Sequence, residues 1–538
     1  MNLKSTYKER KMNKINQVIY CIIDDVRSSH FFDFIERGLL PNFKKLMDTG
    51  LYSKSCITDF PSVTYPTQAT QITGTYTGDY RYELCHGIPV YNWMGRYYSP
   101  PILRSYGAPG SDELIQAYKL NSDLRDKCRT FLEMTGEGNH ASITQYISRG
   151  TDYMFPESKI QLAFYYELML HSRNQKKMMA RANTMGVKKL LDTFKRPSKY
   201  FESNEAPIGS NLWFMSSDVL MHLHGYDSLM YKLNLLHIDK VMGILFEGLE
   251  KMGYLDDTVI AITADHGNYK AERVGNIEPF YQKTGLTPYQ PNKKYRGNVN
   301  IAEFGSLGMF YFKGKERTAA KYGWSIPSSE ELRSYGPKKI NVYQELFKIE
   351  GCELMYFPDD ENTHNKGKIN LRRKNKGNGN IIDNFIEYRG TGEGYQTRLI
   401  CEDEKDIFHY SEDEKASKLL DGAFHSIDEW LEGTHHLDYP LYPDLIPRHF
   451  KNPRSADIII STGGEVIYNI KHGKKENDHV YAHDIGHRKS ACVPLLIGGS
   501  SEVPHVEVPF CKTTDIVPTL LKMMGKKPHK SVVGKSLI

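Results

Sequence analysis

The stretch LNLLHIDKVMGILFEGLEKMGYLDDTVIAITADHG, from Leu233 to Gly267, decides the fold. Its first two thirds repeat apolar residues three and four positions apart, the period of one helix face. Gly253 and the Asp256–Asp257 pair then break that period, as a turn does. The run that follows, TVIAITA, is apolar and rich in β-branched residues, which suits a strand covered on both faces. It ends in Asp265 and His266. Helix, turn, buried strand and a polar pair at the strand's carboxyl end make up one unit of an α/β sheet.

The unit recurs along the chain. QVIYCII, Gln17 to Ile23, is a second buried strand and runs into Asp24, while LPNFKKLMDTG reads as a helix with Gly50 past its end. VPLLIGG and TTDIVPTLLKMMG, near the end, add another strand and helix. The expected architecture is a doubly wound, mostly parallel sheet flanked by helices, whose ligands gather at the strand carboxyl ends.

Two stretches differ in character. Residues of about 95–205 are rich in Tyr, Arg and Met and are expected to form a helical insertion. Residues 331–440 are polar, with alternating runs such as IIDNFIEYRG, and are expected to form a β-rich insertion or cap over the site. On this division the catalytic core spans 12–330 and 441–538. HNKGKINLRRKNKGNGN, His364 to Asn380, reads as a solvated loop and not as a nucleic-acid contact. No internal repeat or heptad is visible.

With 538 residues the chain exceeds the usual single-domain size, and its 40% hydrophobic and 25% charged composition is that of a globular protein. A net charge of +5 does not argue for nucleic-acid binding. The eight cysteines, at 21, 56, 85, 128, 352, 401, 492 and 511, form no C-x-x-C pair, which fits a reduced protein. The apolar run near the N-terminus is too short for a signal peptide or a bilayer span. A soluble, cytoplasmic protein without a membrane partner is therefore expected.

FPSVTYPTQATQITG, Phe60 to Gly74, ends like a short helix, with Pro66 tolerated in its first turn. Thr64 would then sit at a helix start, beside backbone N–H groups and the positive end of the dipole. From the residues alone it reads either as an N-cap or as part of an anion site. MSSDVLMHLHGYDS places Asp218 and His222 one helical turn apart on one face. VYAHDIGHRKSACVPLLIGG offers His483 and His487 before the closing strand. Together with Asp24, Asp265 and His266, these carboxylates and imidazoles are a donor set that zinc accepts, and two metals about 3.5–4 Å apart clamp in-line attack at phosphorus.

Taken in chain order, these pieces resemble the type I phosphodiesterase/nucleotide pyrophosphatase branch of the alkaline phosphatase superfamily, which includes phosphonoacetate hydrolase and threonine-dependent alkaline phosphatases. The matching segments are VIYCIIDDVRSSHF, LPNFKKLMDTGLYSKSCITDFPSVTYPTQATQITG, HGIP, DVLMHLHG, DTVIAITADHG, PRSADIIIS, HDIGHRKSACVPLLIGG and TTDIVPTLLKMMG.

The resemblance implies an alkaline-phosphatase-like fold and two divalent metal ions, zinc first, with manganese or iron able to take the same geometry. It assigns Asp24, Asp265, His266 and the Thr64 oxygen to one metal, and Asp218, His222 and His483 to the other. His487 stands in reserve, because the family spacing to the Val-Pro pair favours His483. Thr64 becomes the expected nucleophile, forming a phospho- or nucleotidyl-threonine intermediate. Asn92 in HGIPVYN is the expected oxyanion donor, although that segment is one residue longer than in relatives and Thr67 replaces their usual asparagine.

The expected function is hydrolysis of a small phosphate diester, pyrophosphate or nucleotide. The alternatives are a phosphomonoesterase or phosphonate hydrolase on the same fold, and an inactive homologue acting as a binding module. No ligand position is substituted, which argues against the last. A sulfatase reading fares worse, since C/S-x-P-x-R is absent around Thr64.

Overall fold

Six apolar or β-branched residues in succession, Val18 to Ile23, make β1 (Gln17–Ile23) the central strand of a sheet, buried over nearly its whole length. In the computed structural model the described residues are 15–79, 83–93, 103–105, 119–158, 160–161, 164–165, 174–289, 296–318, 323–375, 377–390, 392–401, 405–469 and 480–538. After β1 the chain forms α1 (Ser28–Glu36), α2 (Pro41–Thr49), β2 (Leu51–Ile57) and α3 (Thr64–Thr73). A hairpin of β3 (Tyr91–Trp93) and β4 (Leu103–Ser105) follows. Next come β5 (His140–Ile143), β6 (Tyr153–Phe155), α4 (Gln175–Lys195), β7 (Gly209–Phe214), α5 (Ser216–His224), α6 (Leu229–Lys251) and β8 (Thr258–Thr263).

A second, antiparallel sheet contains β9 (Val299–Phe304), β10 (Leu307–Phe312), β11 (Leu354–Pro358), β12 (Lys366–Lys374), β13 (Ile381–Arg389), β14 (Gln396–Cys401) and β15 (Ile458–Ser461). Helix α7 (Tyr442–Phe450) precedes β15. The chain then returns to the first sheet with β16 (Cys492–Gly499), β17 (Val506–Glu507) and β18 (Cys511–Lys512), and closes with α8 (Ile516–Met523).

The central sheet has the order β17-β2-β16-β8-β1-β7-β5-β6, with β18 also paired to β2. Strands β8, β1, β7, β5 and β6 pair in parallel. Strand β16 runs antiparallel to both of its neighbours, β2 and β8, so it alone is reversed. Its amino end therefore lies at the edge where the other strands have their carboxyl ends. Segments leaving β1, β2, β7 and β8 and the segment entering β16 all converge there.

Three features depart from the sequence expectation. Within the stretch expected to be helical, β5 and β6 are parallel strands of the central sheet; at four and three residues they are too short to show a period. His364–Asn380, expected as a loop, holds β12, where Ile369 and Leu371 alternate inward between half-exposed Lys and Arg. Finally, the antiparallel sheet is not confined to 331–440, because β9, β10 and β15 belong to it. Their apolar runs look like strands of the first sheet to a sequence reading, since β10 and β15 are buried on both faces.

The two sheets meet around Phe60, just before α3. Its ring lies 6.1 Å from Tyr356 of β11 and 5.2 Å from Tyr442 of α7, both edge-on. The segment that leads to Thr64 is thus wedged against the second sheet.

Candidate active site

Each candidate side chain reaches the common edge by its own route. Asp24 follows β1 directly, and Asp265 and His266 follow β8. Asp218 and His222 lie in the first and last turns of α5, which starts after β7. Thr64 is the first residue of α3; the N-cap is Val63, so the Thr64 hydroxyl caps nothing. His483 is held beside His266 by a short antiparallel ladder of Tyr481–Ala482 with Tyr269–Lys270. The glycine of the DHG triplet has a steric cause: a Cβ on Gly267 would lie 2.4 Å from the Lys489 carbonyl oxygen.

These groups form one cluster. Oxygen Oγ1 of Thr64 is 3.1 Å from His266 Nε2. That same nitrogen is 3.5 Å from Asp24 Oδ1 and 3.8 Å from Asp265 Oδ2. On the other side, Asp218 Oδ1 is 3.2 Å from His222 Nε2 and 3.7 Å from His483 Nε2. The His266 and His483 rings stack at 3.8 Å. Ligand atoms of Asp218, His222 and His483 all lie within 4.8 Å of one another, and so do those of Asp24, Asp218 and His266. Asp218 thus belongs to both groups and joins them.

His487 lies outside both groups and packs its ring edge-on against Tyr439 at 4.5 Å. Asn92 lies in β3, but its side chain falls outside the described residues.

Neighbours that a sequence reading does not single out orient the carboxylates. Trp213 Nε1 donates to Asp24 Oδ2 at 3.1 Å. Gln68 Nε2 donates to Asp265 Oδ2 at 2.7 Å, and the backbone N–H groups of Asp25 and His266 both donate to Asp265 Oδ1. The spacing of Thr64 and Gln68, one helical turn, was a usable signal for Gln68. Trp213 was hidden in an apolar strand, where an indole reads as core. The His483 ring donates from Nδ1 to the Ser62 carbonyl at 3.0 Å, which leaves its Nε2 lone pair toward Asp218 and His222.

The electrostatics reflect crowded buried charge. Burial and the neighbouring Asp265, Asp218 and Asp25 carboxylates all push Asp24 well above the usual carboxylate range. Burial also raises Asp265, against the pull of His266 and the Gln68 bond. Burial works against the ionised form of Asp218 too, but His222 and His483 outweigh it and hold it low. For His266, burial is outweighed by Asp265, Asp25 and Asp218, which lift it to about 9.

Two carboxylate oxygens in this cluster, Asp24 Oδ1 and Asp218 Oδ1, receive no hydrogen bond. They are the same oxygens that face the imidazole Nε2 atoms. A buried oxygen without a donor costs about 1–3 kcal/mol, and more when charged. An excess of buried carboxylates, donorless oxygens turned inward and mixed N/O donors together fit divalent cations.

The chain from residue 18 to residue 323 matches the family model described as Type I phosphodiesterase / nucleotide pyrophosphatase. No curated protein matches it in sequence. Among solved structures it is similar to murine ectonucleotide pyrophosphatase / phosphodiesterase 5, with a TM-score of 0.51 and 12% identity over 95% of this chain and 96% of that one. An inactive form of that murine protein in complex with AMP gives the same figures. At such identity the likeness shows a shared fold.

Proposed function

The chain belongs to the type I phosphodiesterase/nucleotide pyrophosphatase family and is a phosphoric ester hydrolase; on that premise we propose that it cleaves phosphate diesters or pyrophosphates of small molecules, nucleotides among them, with Thr64 as nucleophile. The observation that carries the reading is the position of Thr64 Oγ1 at the N-terminus of α3, 3.1 Å from His266 Nε2, a nitrogen that itself lies 3.5 Å from the donorless Asp24 oxygen. Asp24, Asp265, His266 and Thr64 would hold one divalent ion, and Asp218, His222 and His483 a second, with zinc favoured by the mixed carboxylate and imidazole donors. Bound there, two such ions supply the positive charge that lowers the pKa of a hydroxyl and neutralises phosphoryl oxygens.

The chain's own part in the reaction follows. Helix α3 presents the Thr64 oxygen at its positive end, where developing negative charge is favoured. Gln68 and Trp213 fix the orientation of Asp265 and Asp24 through their donated hydrogen bonds. Attack of Thr64 Oγ1 on phosphorus expels the first ester oxygen and leaves a phospho- or nucleotidyl-threonine. Water then attacks the same phosphorus, the bond to Oγ1 breaks, and two inversions give net retention.

The aromatic rings packed beside Thr64 support a diester over a monoester. Tyr65, adjacent to Thr64, meets Tyr146 at 5.7 Å and Trp213 at 6.4 Å. Such surfaces suit a second ester group, whereas a monoester needs cations at its terminal oxygens. Among the described residues no helix is long and apolar enough to cross a membrane, and all eight cysteines are free. The free cysteines support a cytoplasmic setting as part of the proposal.

The test compares bis-p-nitrophenyl phosphate with p-nitrophenyl phosphate as substrates of zinc-loaded protein, with a chelator control and Thr64→Ala. A diester preference abolished by both controls is the expected result. Full turnover by Thr64→Ala would remove the nucleophile, and a monoester preference would move the assignment to a threonine phosphatase.

A further inference from the structure

Asp25 follows Asp24 in a left-handed backbone conformation, φ 59°, a region that glycine occupies without strain and other residues avoid. Its side chain is fully buried. Oxygen Oδ1 accepts from Asn268 Nδ2 at 2.9 Å and lies 3.7 Å from His266 Nδ1, while Oδ2 receives no hydrogen bond. The backbone of Asp25 is fixed independently of that carboxylate: its N–H donates to Asp265 and its carbonyl accepts from Tyr231 Oη at 2.6 Å. A glycine at this position would keep both backbone bonds and relieve the strain. Of the hydrogen bonds at this residue, only the one from Asn268 depends on the carboxylate.

What it faces is the far side of the His266 ring. Nitrogen Nδ1 of His266 is 3.1 Å from the Gly267 carbonyl, and Nε2 points the other way, toward Thr64, Asp24 and Asp265. We infer that Asp25 is a positioning residue for His266: its carboxylate, held behind Nδ1 by Asn268, favours a proton on that nitrogen, shared with the Gly267 carbonyl, so that Nε2 presents its lone pair to the cleft. A distance of 3.7 Å is too long for a direct hydrogen bond, so Asp25 acts across space and Gly267 through the bond. His483 is held in the same tautomer by the Ser62 carbonyl. Carboxylates or carbonyls behind metal-ligating imidazoles commonly set ligand tautomer and basicity. The inference rests on the metal-site reading proposed above.

The experiment measures zinc affinity by competition with a chelating indicator and the melting temperature of the metal-free chain, for wild type, Asp25→Asn, Asp25→Gly and Asp218→Asn. Both Asp25 variants are expected to bind zinc about 10–100-fold more weakly. Metal-free Asp25→Gly is expected to melt no lower than wild type, because glycine accepts this φ. Wild-type affinity in Asp25→Asn, with Asp218→Asn impaired, would leave the metal site standing and overturn the role of Asp25. Weakened binding accompanied by a lower metal-free melting temperature in both Asp25 variants would reduce Asp25 to a structural residue and overturn it equally. No zinc binding by wild type would remove the site, and the role of Asp25 with it.

Discussion

At the scale of single residues, two histidines four positions apart have different fates. His483→Ala should lower the bound zinc stoichiometry by about one, read by elemental analysis, because its Nε2 belongs to the Asp218 group. His487→Ala should leave the stoichiometry unchanged and alter only packing against Tyr439. A second residue-level effect concerns pH. Asp59 is buried, and burial lifts it to about 7 despite bonds from Thr70 and the Phe60 N–H. The unfolded chain releases that proton near pH 4. Between those values the folded form holds the extra proton, so this group's contribution is complete below about pH 4 and is lost as pH rises to 7. The span is on the order of 4 kcal/mol. Denaturant midpoints of Asp59→Asn should accordingly fall less than those of wild type between pH 4 and 7. Legibility at this scale followed chemistry: acids and imidazoles at strand ends stand out against apolar runs. Trp213 does not, since an indole in a strand advertises its ring and not its N–H. Nor does Asp25, whose significance lies in a backbone angle that no composition rule encodes.

Among the elements, α7 joins the two sheets through a buried charge cluster. Arg448 pairs with Asp79 Oδ1 at 3.1 Å and with Asp444, and its guanidinium lies 4.7 Å over the Tyr76 ring and 4.6 Å over that of Tyr395. Replacing Arg448 with Met leaves two buried carboxylates without a counter-charge. The expected loss is about 3–5 kcal/mol in urea denaturation, and wild-type stability in Arg448→Met would show the cluster to be solvated. Long strands such as β1 and β8 were readable because four or more consecutive apolar residues leave no other use for them. The reversal of β16 was not, because an apolar run carries no direction. That reversal matters to the proposed function: it brings His483 to the edge where β1, β7 and β8 deliver their carboxylates.

On the scale of the whole molecule, ligand binding should register as stability. If free zinc stands at a hundred times its dissociation constant, it stabilises the folded chain by about 2.7 kcal/mol. A chelator should lower the melting temperature and added zinc restore it, while a melting curve indifferent to both would count against a metal centre. The division into layers was legible as two characters of sequence, but the extent of the second sheet was not, since β9, β10 and β15 look like strands of the first. One consequence concerns synthesis. Asp24, Thr64, Asp218, His222, Asp265 and His266 all leave the ribosome before most of the second sheet has been made, and His483 arrives only after it. On the proposed reading the nascent chain therefore carries all but one of the ligands for about two hundred residues of elongation before His483 is added. On the proposed reading, a product terminated before His483 lacks one imidazole of the second metal group, so hydrolysis would wait for the segment that follows the second sheet.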